Sequence, residues 1–221
     1  QGHFLAAVPL LERATAIGAE YLVVHPGSYR GTSVEEGIAA FALGLRDAAA
    51  GRHLDSLHAE RVNSHWLDCE LTVLLENTAG AGCHLGGNFE ELQSIRELAR
   101  ELTDLPIGYC LDTCHLLSAG FDITTAIGLR ATIRSAEACL GLSNVHVIHA
   151  NDSKFPRGSH VDRHANIGEG HIGADAFRRI LTHPKLRKKP FILETPVDVP
   201  GDDRRNLDML KSLASRSETR T

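Results

Sequence analysis

The sequence predicts an α/β fold in which parallel strands alternate with helices, arranged as a sheet or a barrel. Five short runs rich in Val, Ile and Leu do not alternate with polar residues, which is typical of parallel strands buried on both faces. These runs are Tyr21–His25, Thr72–Glu76, Ile107–Asp112, Val145–His149 and Pro190–Glu194. Segments with apolar residues at helical spacing lie between them, at Val34–Ala49, Phe89–Leu102, Ile123–Leu140 and Ala174–Thr182. This order indicates right-handed βα units.

The composition is that of one ordinary globular domain of 221 residues. Hydrophobic residues make up 43% and charged residues 23%, which excludes a disordered chain or a small disulfide scaffold. No apolar run approaches the ~20 residues of a membrane span. The formal net charge of −5 argues against bulk attraction of polyanions. A local cationic site, or one that bound metal makes cationic, remains open.

The cysteines indicate the cellular compartment of the protein, and the ends of the sequence indicate whether part of it is missing. The five cysteines are odd in number and form no C-x-x-C pair, so we interpret them as reduced thiols and expect a cytoplasmic protein. The segment Gln1–Glu20 does not have the pattern of a signal peptide. Because the one methionine is Met209, we expect that upstream sequence is missing. We expect the polar end, 212–221, to be frayed.

Each predicted strand ends in a residue that can bind a metal ion. These residues are His25, Glu76, Asp112, His149 and Glu194. In a parallel βα barrel the carboxyl ends of all strands open onto one face, so the five side chains would converge there. Crowded carboxylates repel each other unless a cation compensates. Imidazoles among carboxylates favour Zn²⁺, Mn²⁺ or Fe²⁺, and the sequence therefore predicts a metal site with more than one ion.

Three further ligand-type residues lie just beyond these strand ends. His115 follows Asp112 by three positions, and Asp162 and His164 form an Asp-x-His pair. In an extended backbone, residues two apart face the same side, so both members of the pair can bind one ion. With His115 they would supply three protein ligands and leave a fourth position open, which is the arrangement of catalytic zinc.

At these residues the sequence resembles endonuclease IV, the zinc-dependent abasic-site endonuclease of base-excision repair. The resemblance runs from about Phe4 to the last predicted strand. The matching motifs are His25–Ser28, Glu76–Gly82, Leu111–His115, His149–Lys154, Val161–Gly173 and Leu193–Thr195. Because these motifs occur in the family's order and register, the match is specific.

The resemblance implies a TIM-type βα barrel, a fold with eight strands. Only five are predicted here, so we expect residues 1–221 to form a single domain whose N-terminal strands are missing. Their loss would remove one histidine ligand and the upstream loops that insert into DNA in this family. It would also expose the strand edges and the inner layer of the barrel.

The resemblance further implies a cluster of three zinc ions. Glu76 would bridge two ions, and His25 would help to bind the first. The second would be held by Asp112, His149 and Glu194, and the third by His115, Asp162 and His164. Mn²⁺ or Fe²⁺ could substitute, and three divalent ions would more than offset the formal charge of −5.

The chemistry that this cluster implies is hydrolysis of a DNA phosphodiester 5′ to an abasic site. A zinc-bound hydroxide would attack the phosphorus, so no side-chain nucleophile is required. Selectivity would arise because a nucleotide without its base is easily rotated out of the stack. Lys154 and Arg163, beside the ligands, are candidates for phosphate contacts. The expected partner is double-stranded DNA containing abasic sites, with no membrane, and the expected state is a monomer.

The stretch between His25 and Glu76 is longer than a βα unit requires, since a whole βαβ unit needs ~30 residues. The additional material, 51–70, contains His53, His58, His65 and Trp66. Their spacing forms no compact ligand set, and we interpret the segment as an extended helix and loop. Cys114 lies between two candidate ligands, and we expect it to pack rather than to act as a nucleophile.

Two alternatives remain open. Sugar isomerases and epimerases of related barrels hold one ion with a Glu, Asp, His, Glu quartet, which Glu76, Asp112, His149 and Glu194 would fit. The other candidate ligands would then have no role. Alternatively, the chain is a non-catalytic remnant that retains metal or DNA binding.

Overall fold

The computed structural model describes residues 7–56 and 71–215. In this part of the chain five strands form one parallel sheet in the order β1-β2-β3-β4-β7. They are β1 (Tyr21–Val24), β2 (Thr72–Glu76), β3 (Ile107–Asp112), β4 (Val145–His149) and β7 (Phe191–Ile192). A second pair, β5 (Asp152–Ser153) and β6 (His164–Ala165), is antiparallel. The predicted parallel α/β fold is confirmed, as a half-barrel of five strands.

Seven α-helices are described between and around these strands. They are α1 (Ala7–Ala16), α2 (Val34–Ser56), α3 (Phe89–Leu102), α4 (Thr113–Ala119), α5 (Ala126–Cys139), α6 (Ala174–Thr182) and α7 (Asp202–Ser215). The bounds of α3 and α6 are those that the sequence predicts. None of the helices in the described ranges is both long and apolar enough to cross a membrane.

Three helical segments differ from the prediction. The predicted helix Ile123–Leu140 begins only at Ala126, and α4 is an additional helix directly after β3. Helix α7 includes 212–215, where we expected a frayed end, because Leu213 is buried against the core. Helix α2 continues to Ser56, so the first part of 51–70 is helical as interpreted. His58, His65 and Trp66 lie outside the described residues.

The sheet separates two apolar regions of unequal size. Val73 and Leu75 on β2 belong to a large core between the sheet and the helices. Leu74, between them, faces the other way and packs with Cys110 and Val147 in a small cluster on the inner face. Because side chains alternate along a strand, Glu76, Asp112 and His149 emerge on this inner face, two residues beyond the cluster. The small apolar cluster thus forms the floor of a polar site.

Candidate metal centre

Glu76 lies at the centre of the polar side chains on the inner face. Its Oε1 lies 2.9 Å from Nδ1 of His149 and 3.5 Å from Nδ1 of His115, and its Oε2 lies 3.1 Å from Nε2 of His25. The carboxylate is 4% exposed. Burial raises the pKa of Glu76, but hydrogen bonds with His149 and His25 outweigh this effect and lower the pKa to about 2. The carboxylate is therefore ionised and faces three histidines at once.

A second group of side chains surrounds His149. Glu76, Asp112, His149 and Glu194 each offer a ligand atom, all within 4.8 Å of one another. Nδ1 of His149 lies 3.2 Å from Oε2 of Glu194. Burial lowers the pKa of His149, but hydrogen bonds with Cys110, Glu194 and Glu76 raise it to about 12. In its protonated form His149 offsets the negative charge of Glu76 and Glu194, and a divalent cation can take over this role.

Asp112 differs from Glu76 in its electrostatic state. It is fully buried at the end of β3, and burial raises its pKa even though His115 and His164 oppose the effect. Its Oδ1 accepts the backbone N–H of His115 at 2.7 Å, which makes Asp112 the N-cap of α4. The short helix thereby fixes His115 one turn from Asp112. This is why two candidate ligands three positions apart reach the same site.

The third group joins α4 to the antiparallel pair β5–β6. Asp162 Oδ2 lies 3.2 Å from Nε2 of His115, and Asp162 Oδ1 lies 3.4 Å from Nε2 of His164. The imidazole rings of His115 and His164 beside it lower the pKa of Asp162. His164 is brought here because β6 pairs with Ser153 of β5, directly after β4. Residues far apart in sequence thus meet around one point.

The ring orientations of His115 and His164 fit a metal ion. Nδ1 of His115 lies 2.8 Å from the carbonyl oxygen of Asn77, and Nδ1 of His164 lies 3.0 Å from that of Glu194. A carbonyl only accepts, so each Nδ1 carries a proton, and in the neutral form of the ring that binds a metal the lone pair lies on Nε2. Both Nε2 atoms are buried and make no aligned hydrogen bond within the described residues. Such an arrangement is typical of metal-binding histidines.

His25 completes the set from the end of edge strand β1. With Glu76 and His115 it forms a group whose ligand atoms lie within 4.8 Å of one another. The resemblance assigns only His25 and the shared Glu76 to this first position, and the structure adds His115 beside them. The side chain of His25 is 48% exposed, which makes it the most open member of the group.

Two cysteines also border the site. Cys110 shares a candidate group with Glu76 and His149, and Cys114 shares one with Asp112 and His164. Burial raises the pKa of both thiols to about 11, so they are protonated at neutral pH. Cys114 donates to the carbonyl oxygen of Arg163 at 3.7 Å, in line with the expected packing role.

Several buried polar residues stabilise the site through hydrogen bonds that the sequence pattern does not predict. Asn77 accepts the backbone N–H of Asp112 at 2.8 Å through its side chain. Asn151 bonds to both Asp112 and the backbone of Glu194. The buried carboxylate of Asp152 accepts five backbone N–H groups, from Ser153, Gly168, Gly170, Ile172 and Gly173. The quoted motifs contain all three, but their bonds to the backbone leave no periodic pattern.

The two candidate phosphate contacts lie on the exposed loop between β5 and β6. The side chains of Lys154 and Arg163 are exposed, and the backbone N–H of Lys154 donates to the carbonyl of Arg163 at 2.9 Å. Arg163 also donates from its guanidinium to the carbonyl of Asp162 at 2.7 Å. A cleft of about 600 Å³ opens beside this loop, lined by His25, Asp162 and the inner side of α2.

Comparison with known proteins identifies first the class and then the family. Residues 6–213 match the family model described as xylose isomerase-like TIM barrel. "Probable endonuclease 4" of Solibacter usitatus is 79% identical over 204 residues, which cover 92% of this chain and 66% of that protein. "Probable endonuclease 4" of Chloroflexus aurantiacus is 40% identical over 209 residues, covering 94% of this chain and 68% of that protein.

A solved structure agrees with these relatives. Endonuclease IV from Thermus thermophilus superposes with a TM-score of 0.71 at 33% identity, covering 97% of this chain and 68% of that one. The chain therefore belongs to the endonuclease IV family of xylose isomerase-like TIM barrels. It spans about two thirds of the length of these relatives.

Proposed function

We propose that this chain carries the catalytic centre of a zinc-dependent endonuclease, which hydrolyses the DNA phosphodiester 5′ to an abasic site in base-excision repair. The observation that carries the proposal is that the candidate ligand groups overlap, because they share Glu76, His115 and Asp112. Membership of the endonuclease IV family supports an enzyme that acts on DNA. Abasic specificity and the position of the cut are what the resemblance to this family implies.

Zinc suits the donor set because each proposed site combines imidazole nitrogens with carboxylate oxygens. His25 and Glu76 would hold the first ion, with His115 close by. Glu76 would also bind the second ion, together with Asp112, His149 and Glu194, and the third would be held by His115, Asp162 and His164. When bound at these residues, zinc would supply a nucleophile from water at neutral pH and would stabilise charge on phosphoryl oxygens. Mn²⁺ or Fe²⁺ could occupy the same donors.

Other residues of the chain would bind and orient the DNA substrate. Lys154 and Arg163 are exposed beside the ligands, where cationic side chains would contact the DNA backbone. The cleft beside His25 and Asp162 would receive the extruded abasic nucleotide, whose rotation out of the stack costs little because no base is lost from stacking. Glu76, buried and ionised, would be a ligand shared by the first and second ions.

A single-metal sugar isomerase or epimerase is the main competing function. Its quartet would be Glu76, Asp112, His149 and Glu194. It would leave unexplained the buried Nε2 atoms of His115 and His164, which are oriented toward Asp162 and lack hydrogen-bond partners among the described residues. For this reason the multinuclear endonuclease is the better account of the site.

The first experiment measures tightly bound metal per folded chain by elemental analysis after gel filtration. Two or three zinc ions are expected, the lower number indicating loss of the first ion. One manganese-like ion would instead favour the sugar-converting alternative. A folded chain that binds no metal would contradict the proposal for these 221 residues.

The second experiment measures cleavage of a duplex that contains one tetrahydrofuran abasic analogue, with an undamaged duplex of the same sequence as reference. We expect a cut 5′ to the analogue that leaves a 3′-hydroxyl. Glu76→Gln should abolish cleavage, whereas Glu97→Gln, at an exposed position of α3, should not change it. A zinc-loaded wild-type chain that treats both duplexes alike would refute the proposed substrate.

Location and assembly are proposed on separate grounds. Within the described residues, Cys83, Cys110, Cys114 and Cys139 are free thiols, which supports a reducing compartment such as the cytoplasm. We propose a monomer, which sedimentation equilibrium would test directly. A concentration-independent mass near 24.0 kDa is the expected result, and a stable dimer would contradict it.

A further inference from the structure

Asn151 links candidate ligands that come from different strands. It is fully buried, two residues beyond His149 at the end of β4. Its Nδ2 donates to Oδ2 of Asp112 at 2.6 Å, and its Oδ1 accepts the backbone N–H of Glu194 at 2.8 Å. Strand β4 lies between β3 and β7 in the sheet, so one amide spans from β3 to the segment after β7.

The position of Asn151 is itself fixed by Thr113, the first residue of α4. The backbone N–H of Asn151 donates to Oγ1 of Thr113 at 2.9 Å, and the same hydroxyl donates to the carbonyl of Asn151 at 2.7 Å. The amide orientation is also determined, because the backbone N–H of Glu194 can meet only the oxygen of the side chain. Every polar atom of Asn151 therefore has an assigned partner.

Asn151 contacts the backbone of Glu194 and the carboxylate of Asp112. Strand β7 pairs with β4 over only two residues, Phe191 and Ile192, and ends before Glu194. Beyond the strand, the bond to Asn151 holds the backbone of Glu194, which in turn orients the ring of His164 through its carbonyl. Asp112 is affected at its carboxylate, where the amide of Asn151 donates to Oδ2.

We propose that Asn151 is a positioning residue that holds Asp112 and Glu194 in the geometry of metal ligands, a role that rests on the proposed zinc site. Outer hydrogen bonds of this kind commonly contribute about 10–100-fold to metal affinity. Asn151 is not itself a ligand, because its two side-chain polar atoms are already used. Its effect reaches the metal through the two carboxylates.

The decisive variant is Asn151→Asp, which keeps the volume and the acceptor for the N–H of Glu194. It replaces the donor to Asp112 with a second oxygen, so two carboxylates face each other across a short distance. Asn206→Asp is the matched control: Asn206 is buried, accepts the backbone N–H of Ile167 at 2.8 Å and donates to the carbonyl of Asp202 at 2.8 Å. It takes no part in the candidate ligand groups of the described residues.

Zinc affinity of the full 221-residue chain would be measured by competition with a chromophoric chelator, and folding by urea titration. We expect Asn151→Asp to weaken the tightest zinc binding by about 10–100-fold and to change the visible absorption of the Co²⁺-substituted protein. Asn206→Asp should leave both metal readouts at wild-type values even if it destabilises the fold. Asn151→Ser, which removes the amide without adding charge, should show a smaller loss in the same direction.

The outcomes separate this role from the proposed function. Equal zinc affinity and equal Co²⁺ spectra in wild type and both Asn151 variants would overturn the positioning role and leave the endonuclease proposal intact. Equal losses in Asn151→Asp and Asn206→Asp would also overturn it, since the effect would then be one of general stability. A wild-type chain that binds no zinc would contradict the proposed function and this role together. If Asn151→Asp fails to fold, Asn151→Ser decides between these results.

Discussion

The ring of His164 donates from Nδ1 to the backbone carbonyl of Glu194, 3.0 Å away. Two candidate ligands of different groups are thus joined by a bond that sets the tautomer of one and depends on the backbone position of the other. Since Asn151 holds that backbone, the groups around His149 and around Asp162 are mechanically connected. The site is therefore best understood as one assembly rather than as three independent ion positions.

Replacement of His164 tests the third group directly. His164→Ala removes one of three converging donors, and we expect the folded chain to bind about one zinc ion fewer, because two protein ligands hold zinc poorly. Elemental analysis after gel filtration measures the change. His171→Ala, an exposed histidine outside the candidate groups of the described residues, is the control and should retain the wild-type zinc content. An unchanged content in His164→Ala would exclude the proposed third ion.

Asp152→Asn tests how much the carboxylate that accepts five backbone N–H groups contributes to stability. An amide can accept with only one of its two polar atoms, so several buried N–H groups would lose their acceptor or face a second donor. We expect the free energy of unfolding to fall by about 2 kcal/mol or more, measured by urea titration. Asp175→Asn changes a carboxylate that is 82% exposed, and it should alter stability by less than about 1 kcal/mol. Similar losses in both variants would contradict the proposed role of Asp152.

The pKa of Asp122, a residue outside the candidate metal centre, predicts that the stability of the fold depends on pH. Burial opposes the effect, but hydrogen bonds from Thr125 and Thr124 lower the pKa of Asp122 to about 2. Its unfolded value is ~3.9, so the stabilisation is present above pH ~4 and is lost as pH falls toward 2. The difference in unfolding free energy between wild type and Asp122→Asn should shrink below pH ~4. A difference that stays constant from pH ~6 to ~2 would refute the prediction.

Substitution of Gly108 tests how tightly β3 and β4 pack near the start of the two strands. A Cβ at this position would lie 2.8 Å from the carbonyl oxygen of Asn144 and would collide with the ring of His146. We therefore expect Gly108→Ala to lower the unfolding free energy by about 1–3 kcal/mol. The double variant with His146→Ala should recover part of the loss, because only the backbone contact then remains. A fully stable single variant would show that β4 can shift without cost.

Most of the sheet and its helices could be predicted because their patterns are local. Strands β2, β3 and β4 are continuous apolar runs, and α3 buries Phe89, Leu92, Ile95 and Ala99 at helical spacing. Helix α4 was missed because six of its seven residues are buried, which removes the periodic contrast between faces. Helix α7 was missed for the opposite reason, since it is largely polar and only Asp202, Asn206, Leu210 and Leu213 are buried.

The residues of the candidate site likewise include some that the sequence pattern predicts and some that it does not. Glu76, Asp112 and His149 could be found because apolar strands run directly into them, and Asp162 and His164 because their spacing suits one ion. Asn77, Asn151 and Asp152 could not be given roles, because most of their partners are backbone groups, up to 43 positions away in the bond from Glu194 to Asn151. The side-chain bond from Asn151 to Asp112 also spans 39 positions. Such bonds depend on the assembled sheet and are not encoded in any local pattern.

The five bonds to Asp152 also affect how a substrate would bind. They tie the segment Gly168–Gly173 to the hairpin that carries His164, before any ligand arrives. Ordering a residue costs about 1–2 kcal/mol of conformational entropy, and a loop that is already ordered does not impose that cost on association. This side of the site is thus preorganised, and contacts made to it contribute their interaction energy to affinity without a folding penalty.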